Sequence, residues 1–173
     1  MIYFIRHGET EYNKQRRYQG QLDIPLNETG IAQAEKSRDN LAKFKFDEIY
    51  SSPLLRARKT AEIINEEQHA KLVFDDRLKE IFGGISQGQC LDDWTEERVK
   101  QLHENPKSFG AESYEELCAR VESFFKEIEN SDKNILIVSH GGVYRAIYRY
   151  LNNLEGFNFE LKGLKNTEAI KLK

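Results

Sequence analysis

The chain has 173 residues, of which 39% are hydrophobic and 32% charged, a composition typical of one folded domain over residues 1–173 and not of a disordered segment. Its net charge of −3 excludes a general electrostatic attraction to nucleic acid or to an anionic membrane. No stretch reaches the ~18 apolar residues of a membrane span, and the N-terminal apolar run stops at Arg6, too early for a signal peptide, so we expect a cytoplasmic protein.

The first part of the chain alternates a short apolar run with an amphipathic segment. Residues 2–5 are predicted to form a strand, and residues 26–44 a helix capped by Asn27 or Thr29. The apolar positions of this helix that lie near a 3.6-residue period are Ile31, Ala34, Leu41 and Ala42.

A second strand, over residues 47–52, leads into a helix with a clear start signal. Ser52 is predicted to be its N-cap and Pro53 its first residue, because proline lacks the N–H group that a first turn leaves unpaired. Residues 71–74 are a candidate third strand. The inward positions of the helix are predicted to be Leu54, Ala57, Ala61 and Ile64.

The periodicity weakens between residues 75 and 110, where "FGGISQG" indicates a loop and residues 93–104 a candidate helix. Ser113 and Glu116 then form a capping box that opens a further helix. Its buried positions are predicted to be Leu117, Val121, Phe124 and Ile128.

Residues 135–138, "ILIV", are the most apolar strand, and a helix over residues 143–151 follows them. Because a strand covered on both faces is apolar throughout, this strand is predicted to lie inside the sheet, whereas the terminal "AIKLK" alternates like an edge strand. The alternation of strands and helices predicts an α/β three-layer sandwich. Its central sheet is mostly parallel with one antiparallel edge strand, and helices cover both faces.

Three strand ends carry polar residues that could meet. The strands end in "RHG", "SSPLLR" and "SHGG", and the carboxyl ends of parallel strands lie along one edge of a sheet. Arg6, His7, Arg56 and His140 would then share one crevice, although each alone is also typical of a structural histidine or a surface arginine. His140 precedes a helix N-terminus, which favours anions, and arginines match phosphate oxygens. The pattern therefore favours a phosphate pocket.

The motifs that carry these residues occur in a familiar order. "RHGETEYN", "QG", "SSPLLRARKTA", "RLKEIFG", "GAESYEELCAR" and "VSHGGV" resemble the histidine phosphatase superfamily, in the branch of cofactor-dependent phosphoglycerate mutases and related phosphatases. The resemblance runs from residue 2 to about residue 146 and includes the terminal "NTEAIKL". It implies a phosphoglycerate mutase-like fold.

The resemblance also implies roles for individual residues. His7 would be the nucleophile that carries the phosphoryl group as phosphohistidine, and Glu80 the proton donor. Arg6, Arg56 and His140 would bind the phosphoryl oxygens and stabilise their charge. Gly8 would let the chain pass close to the phosphate. Substrate or phosphate contacts would come from Asn13, Gln19, Gly20 and Gly141.

Several other polar residues have two interpretations. From the sequence alone Glu80 is an ordinary surface glutamate, and only its position in the resemblance favours a catalytic role. Glu9 is expected to be a positioning group, and Arg17 either assists an anionic substrate or is solvated. Glu112 and Ser113 match a family "ES" pair, although Ser113 also suits a helix cap. His69 and His103 are predicted to be surface residues away from the strand ends.

No metal or other cofactor is predicted. His7 and His140 are accompanied by arginines, which would repel a divalent cation, instead of further Asp, Glu or Cys ligands. "FGGISQG" lacks the Lys-Ser/Thr that ends a phosphate-binding P-loop. Cys90 and Cys118 match no metal-ligand spacing and are expected to be free thiols.

The predicted activity is metal-independent hydrolysis of small phosphate esters by a monomer or homodimer. Similar mutases carry a longer segment between the acid and the "GES"-like stretch, and a C-terminal tail, whereas Glu80 to Gly110 is short here. Two alternatives stay open: a 2,3-bisphosphoglycerate-dependent phosphoglycerate mutase, and a non-catalytic phosphate-binding regulatory module. Many relatives have Trp-Glu where this chain has Ser86-Gln87, which leaves the substrate undefined.

Overall fold

A computed structural model describes residues 1–156 and 163–173. Five strands form one sheet in the order β3-β2-β4-β1-β5, and all neighbouring pairs are parallel except β1 with β5. This confirms the mostly parallel sheet with an antiparallel edge strand. The strands are β1 (Ile2–Arg6), β2 (Glu48–Ser51), β3 (Lys71–Phe74), β4 (Ile135–Ser139) and β5 (Ala169–Lys171).

Helices cover both faces of the sheet. The α-helices are α1 (Glu11–Lys14), α2 (Glu28–Leu41), α3 (Leu55–Gln68), α4 (Glu96–Glu104), α5 (Tyr114–Ile128) and α6 (Gly141–Leu151). Short 3₁₀ turns occupy Asp76–Leu78, Gly84–Ser86, Leu91–Asp93 and Pro106–Phe109. None of the helices in the described part of the chain is both long and apolar enough to cross a membrane.

The sheet has a hydrophobic core on each side, because side chains alternate between its faces. Ile135 and Ile137 of β4 pack into one core with residues of α5 and α6, such as Leu117. Leu136 and Val138 pack into the other core with residues of α2 and α3. All five residues of β4 are buried, which confirms its predicted place inside the sheet.

The apolar pattern of helix α2 predicts part of its core face: Ala34 and Leu41 are buried as expected, whereas Ile31 and Ala42 are not. Asn27 is the N-cap, and its Oδ1 accepts from Gly30 N at 2.8 Å. The buried positions are Gly30, Ala34, Ser37 and Leu41. Ile31 is 37% exposed and Ala42 lies beyond the helix, so both predicted core positions are wrong. The physical reason is close packing of Gly30 against the backbone of Glu9, which a larger side chain would prevent.

Helix α3 begins later than its start signal predicts. Its first residue is Leu55 and its N-cap position is Leu54, so the assignment of Ser52 as N-cap and Pro53 as first residue is wrong. The Ser52 hydroxyl instead lies 2.8 Å from His140 Nε2 and 3.3 Å from the Leu54 amide. The predicted inward residues Leu54, Ala57, Ala61 and Ile64 are all buried.

The remaining boundaries agree closely with prediction. Helix α4 begins at Glu96 with Thr95 as its cap, and α5 begins with the predicted Ser113–Glu116 capping box. Helix α6 begins at Gly141, two residues before the expected start, so that His140 is its N-cap. Cys90 and Cys118 are both free thiols.

Candidate active site

The carboxyl ends of β1, β2 and β4 meet at one edge of the sheet, where a cleft of about 480 Å³ opens. The His7 amide donates to Ser139 O at 2.9 Å, which ties the end of β1 to the end of β4. The rings of His7 and His140 lie 5.1 Å apart between centroids, with His140 fully buried beneath the cleft. The other predicted site residues line the cleft: Arg6, His7, Asn13, Gln19, Gly20, Arg56, Glu80 and Gly141.

The imidazole of His7 is held in one tautomer. Its Nδ1 lies 2.7 Å from Gly8 O. Because a carbonyl oxygen only accepts, Nδ1 must donate, and Nε2 of the neutral ring then carries the lone pair. Asn166 Nδ2 also donates to His7 O at 2.8 Å, which fixes the backbone at this position. His7 therefore presents a nucleophilic nitrogen of defined orientation.

Both site histidines are neutral at pH 7. Burial lowers the pKa of His7 well below its usual value, and the charges of Arg56 and Arg6 lower it further. The pKa of His140 is lowered well below its usual value for the same first reason, burial, and then by Arg56, His7 and Arg6. A neutral imidazole is the form that can attack phosphorus.

These two histidines should make the protein less stable in acid. The unfolded chain binds a proton at each histidine below pH ~6.5, whereas the folded chain does not until much lower pH. We therefore expect the free energy of unfolding to fall by about 1 kcal/mol per pH unit per histidine as the pH decreases below ~6.5. The free energy of unfolding is measured with urea at pH 7, 6 and 5. Plotted against pH, it should change less steeply for the variant His7→Asn than for the unmodified protein. Parallel slopes would contradict this assignment.

The two arginines of the site donate hydrogen bonds to backbone carbonyls, and each has further N–H groups that are not used in these bonds. Arg6 Nη1 donates to Leu164 O at 2.7 Å, and Arg56 donates to Leu22 O at 2.8 Å and to Gly20 O at 2.7 Å. Burial lowers the pKa of Arg56 to about 10, so its guanidinium stays charged at neutral pH. Arg56 is therefore a rigid, desolvated cation at the floor of the cleft.

Three buried nitrogens of the site have no hydrogen-bond acceptor among the described residues. They are Arg6 Nε, Arg56 Nε and His140 Nδ1. The Ser52 hydroxyl accepts from the Leu54 amide and keeps its own proton to donate, so a contact in which it donates to His140 Nε2 leaves the proton of neutral His140 on Nδ1. Unpaired buried donors are rare and costly. These three nitrogens lie around the neutral ring of His7, and an anion is the kind of ligand that could accept hydrogen bonds from them.

Glu80 is the carboxylate of the cleft. Its Oε1 accepts from Ile81 N at 2.9 Å and its Oε2 from Gly142 N at 3.2 Å, so the carboxylate lies against the N-terminus of α6. A side chain at Gly142 would collide with the Glu80 carboxylate, which explains the second glycine of "SHGG". Glu80 is thus a fixed group between the cationic floor and the open side of the cleft.

A residue that the sequence analysis did not single out, Arg120, holds the segment that carries Glu80. Its guanidinium donates to the carbonyls of Arg77 at 2.6 Å, Lys79 at 2.7 Å and Glu80 at 3.0 Å. Its charge is balanced by Glu112 at 2.6 Å, which also accepts from Phe82 N at 3.0 Å. Arg120 ends the motif "GAESYEELCAR", and this was the available signal.

Removing Arg120 should therefore disturb the position of Glu80. If Glu80 is the proton donor that the resemblance implies, turnover of an alkyl phosphate should fall by ~10²-fold in the variant Arg120→Met, as for a catalytic group displaced by about 1 Å. Release of the first equivalent of nitrophenolate from p-nitrophenyl phosphate, whose leaving group needs no proton, should slow much less. Arg77→Met is the matched control, because it breaks ion pairs to Asp75 and Glu127 without touching the cleft. An equal loss on both substrates would indicate a general structural role.

The amides of Asn13 and Gln19 each have a donor left for the cleft. Asn13 Oδ1 accepts from Thr10 N at 3.1 Å, and Gln19 Oε1 accepts from the Thr10 hydroxyl at 2.9 Å. Because both oxygens are occupied, the Nδ2 and Nε2 groups are the ones available to a ligand. Gly20 contributes its carbonyl to Arg56, and Gly141 begins helix α6 at the cleft wall.

Gly8 has a packing role that differs from the expectation of close approach to phosphate. Its amide donates to Thr60 Oγ1 at 3.0 Å, and a side chain on it would collide with the carbonyl of Gly30. Gly8 and Gly30 thus allow the loop after β1 to lie directly on α2. Glu9 accepts from Asn27 Nδ2 at 2.9 Å, consistent with a positioning group for the same contact.

The Ser86-Gln87 pair lies in the loop beside Glu80. Gln87 Oε1 accepts from Gln21 N at 2.7 Å and from Gly83 N at 3.2 Å, and Gln21 Nε2 donates to Glu80 O at 2.9 Å. Ser86 is fully buried, and its hydroxyl has no partner among the described residues. Gln87 therefore links Gln21 to Gly83, and its Oε1 lies directly beside Gly20 of the cleft.

Of the other polar residues, some lie away from the cleft and some line it. Ser113 is the helix cap of α5, and His69 is exposed at the end of α3. Arg17 lines the cleft, donating to Gly88 O at 2.8 Å. His103 is exposed, as predicted, but it also borders the cleft, and Arg145 of α6 lines it too, which the sequence analysis missed. Within the described ranges no group of three His, Cys, Asp or Glu side chains could hold a metal ion.

The fold and the cleft together define a phosphoglycerate mutase-like α/β protein with two buried histidines and two arginines at one edge of its sheet. The chain belongs to the histidine phosphatase superfamily, whose branch 1 profile matches residues 2–173.

Known proteins of this family resemble the chain over most of its length. The uncharacterized phosphatase PhoE of Bacillus subtilis is 36% identical over 170 residues, covering 97% of this chain and 84% of that protein. The probable phosphoglycerate mutase GpmB of Salmonella choleraesuis is 36% identical over 149 residues, covering 81% of this chain and 69% of that protein. A mycobacterial glucosyl-3-phosphoglycerate phosphatase, solved with VO3, superposes with a TM-score of 0.82 at 29% identity, covering 97% and 90% of the two chains.

Proposed function

We propose that this protein is a metal-independent phosphatase that hydrolyses small phosphorylated metabolites through a phosphohistidine on His7. The observation that carries the proposal is the buried, neutral His7, with Nε2 free, beside three donors that lack a partner among the described residues. Its family and its phosphatase relatives support a phosphatase. The residue roles and the substrate class extend that support to this chain.

The first half-reaction transfers the phosphoryl group to the enzyme. The lone pair of His7 Nε2 attacks phosphorus, and the bond from phosphorus to the ester oxygen breaks. Its electron pair stays on the departing oxygen, which takes a proton from the Glu80 carboxyl group. Arg6, Arg56 and the Nδ1–H of His140 donate to the phosphoryl oxygens and offset their charge.

The second half-reaction returns the enzyme to its starting state. A water molecule attacks phosphorus while Glu80, now a carboxylate, accepts its proton. The phosphorus–nitrogen bond breaks, its electron pair returns to His7 Nε2, and inorganic phosphate leaves. Glu80 therefore serves first as acid and then as base, and each cycle restores its proton.

Hydrolysis is favoured over mutase activity by two observations. The phosphatase PhoE aligns over 97% of the chain, whereas the mutase GpmB aligns over 81%. The segment from Glu80 to α5 contains only short 3₁₀ turns and the single helix α4, with no long insertion over the cleft. A mutase must retain a bisphosphorylated intermediate, which an open cleft would lose to water.

The test offers p-nitrophenyl phosphate, and separately 3-phosphoglycerate with a trace of 2,3-bisphosphoglycerate, both in EDTA. Released phosphate and 2-phosphoglycerate are followed together. We expect phosphate release without isomerisation. Rapid isomerisation with little free phosphate would establish a mutase. Absence of turnover together with tight phosphate binding would favour a non-catalytic binding module.

A further inference from the structure

We infer that the substrate carries a carboxylate in addition to its phosphate, and that Arg145 binds this second anionic group. The inference deepens the proposed function and rests on it. It starts from a cation in the cleft that the phosphoryl-transfer chemistry does not use. Arg145 lies four residues after Gly141, so both residues are on one face of α6, and both line the cleft.

Arg145 has no counterion among the described residues. Among residues 1–156 and 163–173 no carboxylate forms an ion pair with it, and its buried Nε has no hydrogen-bond partner. The other arginines near the cleft have hydrogen-bond partners. Arg6 and Arg56 donate to backbone carbonyls, Arg17 donates to Gly88 O and Gln15, and Arg120 is paired with Glu112. A half-buried guanidinium without a counterion is the kind of group that a ligand anion completes.

The positive charge of Arg145 lowers the pKa of two neighbouring residues, Arg6 and His103. Burial lowers the pKa of Arg6, and the charge of Arg145 lowers it further. Burial likewise lowers the pKa of His103, and Arg145 again lowers it further. Arg145 therefore lies between the phosphate-binding end of the cleft and its α4 border, and it adds repulsion that a second anion would relieve.

The chemistry of the neighbours favours a carboxylate over a second phosphate. A single guanidinium balances one negative charge, whereas the phosphate dianion already has Arg6 and Arg56. Apolar and aromatic side chains also line the cleft, among them Ile81, Leu91, Val99, Tyr114 and Leu117. A cleft of about 480 Å³ suits a small organic acid. The expected substrates are therefore phosphate esters of short hydroxy acids or hydroxyamino acids.

A glycine lies directly beside the Arg145 guanidinium. A side chain at Gly163 would lie 3.1 Å from Arg145 Nη2 and would press on it. Glycine at this position leaves Arg145 free to face a ligand. The variant Gly163→Val offers a second way to disturb the guanidinium without changing its charge.

The experiment compares two substrates that differ in one group: 3-phosphoglycerate and glycerol 3-phosphate. For the unmodified protein we expect kcat/KM to be at least ~10²-fold higher for 3-phosphoglycerate, as for recognition of a charged group by a buried arginine. Arg145→Met should lose most of this preference while turnover of glycerol 3-phosphate and p-nitrophenyl phosphate changes by less than about threefold. Arg145→Lys should retain part of the preference, because it keeps the charge but not the bidentate geometry.

Binding is measured in parallel, so that the inference stands or fails apart from catalysis. Dissociation constants of both compounds are determined by calorimetry on His7→Asn protein, which should bind without turning over, with and without Arg145→Met. Arg17→Met is the matched control, because Arg17 lines the same cleft but has partners. The inference is overturned if neither kcat/KM nor affinity is higher for the compound with the carboxylate, or if Arg145→Met affects both compounds equally. Fructose 1,6-bisphosphate, which carries a second phosphate and no carboxylate, tests the other kind of anion. If it alone depends on Arg145, the inference is also overturned. Carboxylate-dependent binding without turnover of any ester would retain the inference and contradict the hydrolase.

Discussion

Replacing His7 with asparagine should reduce turnover of every phosphate ester by ~10⁴-fold or more, because no other group in the cleft can supply the nucleophile. Two further imidazoles lie near the cleft in the described part of the chain. His103 is at the α4 border, and the buried His140 has its Nε2 beside the Ser52 hydroxyl at 2.8 Å and, in the proposed mechanism, its proton on Nδ1. It can donate to an oxygen but offers no lone pair to phosphorus. Asparagine is preferred to alanine because its amide can still donate to Gly8 O.

The measurement is covalent labelling with ³²P from a labelled ester, quenched during turnover. A phosphoramidate is stable in alkali and labile in acid, so this stability pattern identifies phosphohistidine. We expect label on the unmodified protein and none on the His7→Asn variant. The His140→Asn variant should retain slow labelling, since it keeps the nucleophile and loses one oxyanion donor. Its rate should fall by ~10²-fold or more.

Inorganic phosphate provides the control for folding and binding. Arg6, Arg56 and His140 are intact in His7→Asn, so phosphate should still raise its melting temperature. Label that persists in His7→Asn would place the phosphoryl acceptor elsewhere. Loss of phosphate binding in that variant would mean that the cleft itself has been disturbed, and the labelling result would then have to be repeated with His7→Gln.

The arrangement of strands follows from simple patterns. The first four residues of β4 are apolar because the strand is covered on both faces, and "ILIV" shows this directly. Once the sheet is parallel, its edge must carry the segments after β1, β2 and β4. Arg6, His7 and His140 were therefore predictable as neighbours from their chain positions alone.

Contacts made by backbone atoms were not predictable in the same way. Gly30 is buried against Glu9 and Gly8 against Gly30, and hydrophobic periodicity assigns no inward position to a glycine. The same limitation explains Ser52. Its spacing before Pro53 matches a helix cap, but a hydroxyl can serve another acceptor, and here it lies beside His140 from a strand 88 positions away.

Charged residues on helices were the other class that the sequence could not place. Arg120 and Arg145 occur in amphipathic segments where arginine is usually solvated, and nothing in the spacing distinguishes them from Arg149 or Arg77. Only the packing of α5 against the segment before Glu80, and of α6 along the cleft, brings them to the site. Their roles depend on tertiary neighbours from distant parts of the chain.

Replacing Glu80 with glutamine should separate the two half-reactions. Glutamine can still accept from Ile81 N, as Glu80 Oε1 does at 2.9 Å, but it cannot give or take the proton. For an alkyl ester such as 3-phosphoglycerate, the departing alkoxide needs that proton, and we expect turnover to fall by ~10³-fold. For p-nitrophenyl phosphate the leaving group is stable as an anion near neutral pH. Phosphorylation of His7 should therefore remain fast.

The second half-reaction still requires a base for either substrate, so the phosphohistidine should accumulate in the Glu80→Gln variant. Stopped-flow measurements with p-nitrophenyl phosphate should then show a burst of about one nitrophenolate per protein molecule, followed by slow turnover. No burst is expected with the alkyl ester. Equal losses on both substrates without a burst would contradict proton transfer and would leave Glu80 only an electrostatic role beside Arg6 and Arg56. Because Glu80 also accepts from Gly142 N at 3.2 Å, the phosphate affinity of the variant must be measured alongside; an unchanged value assigns the burst to chemistry and not to a displaced α6.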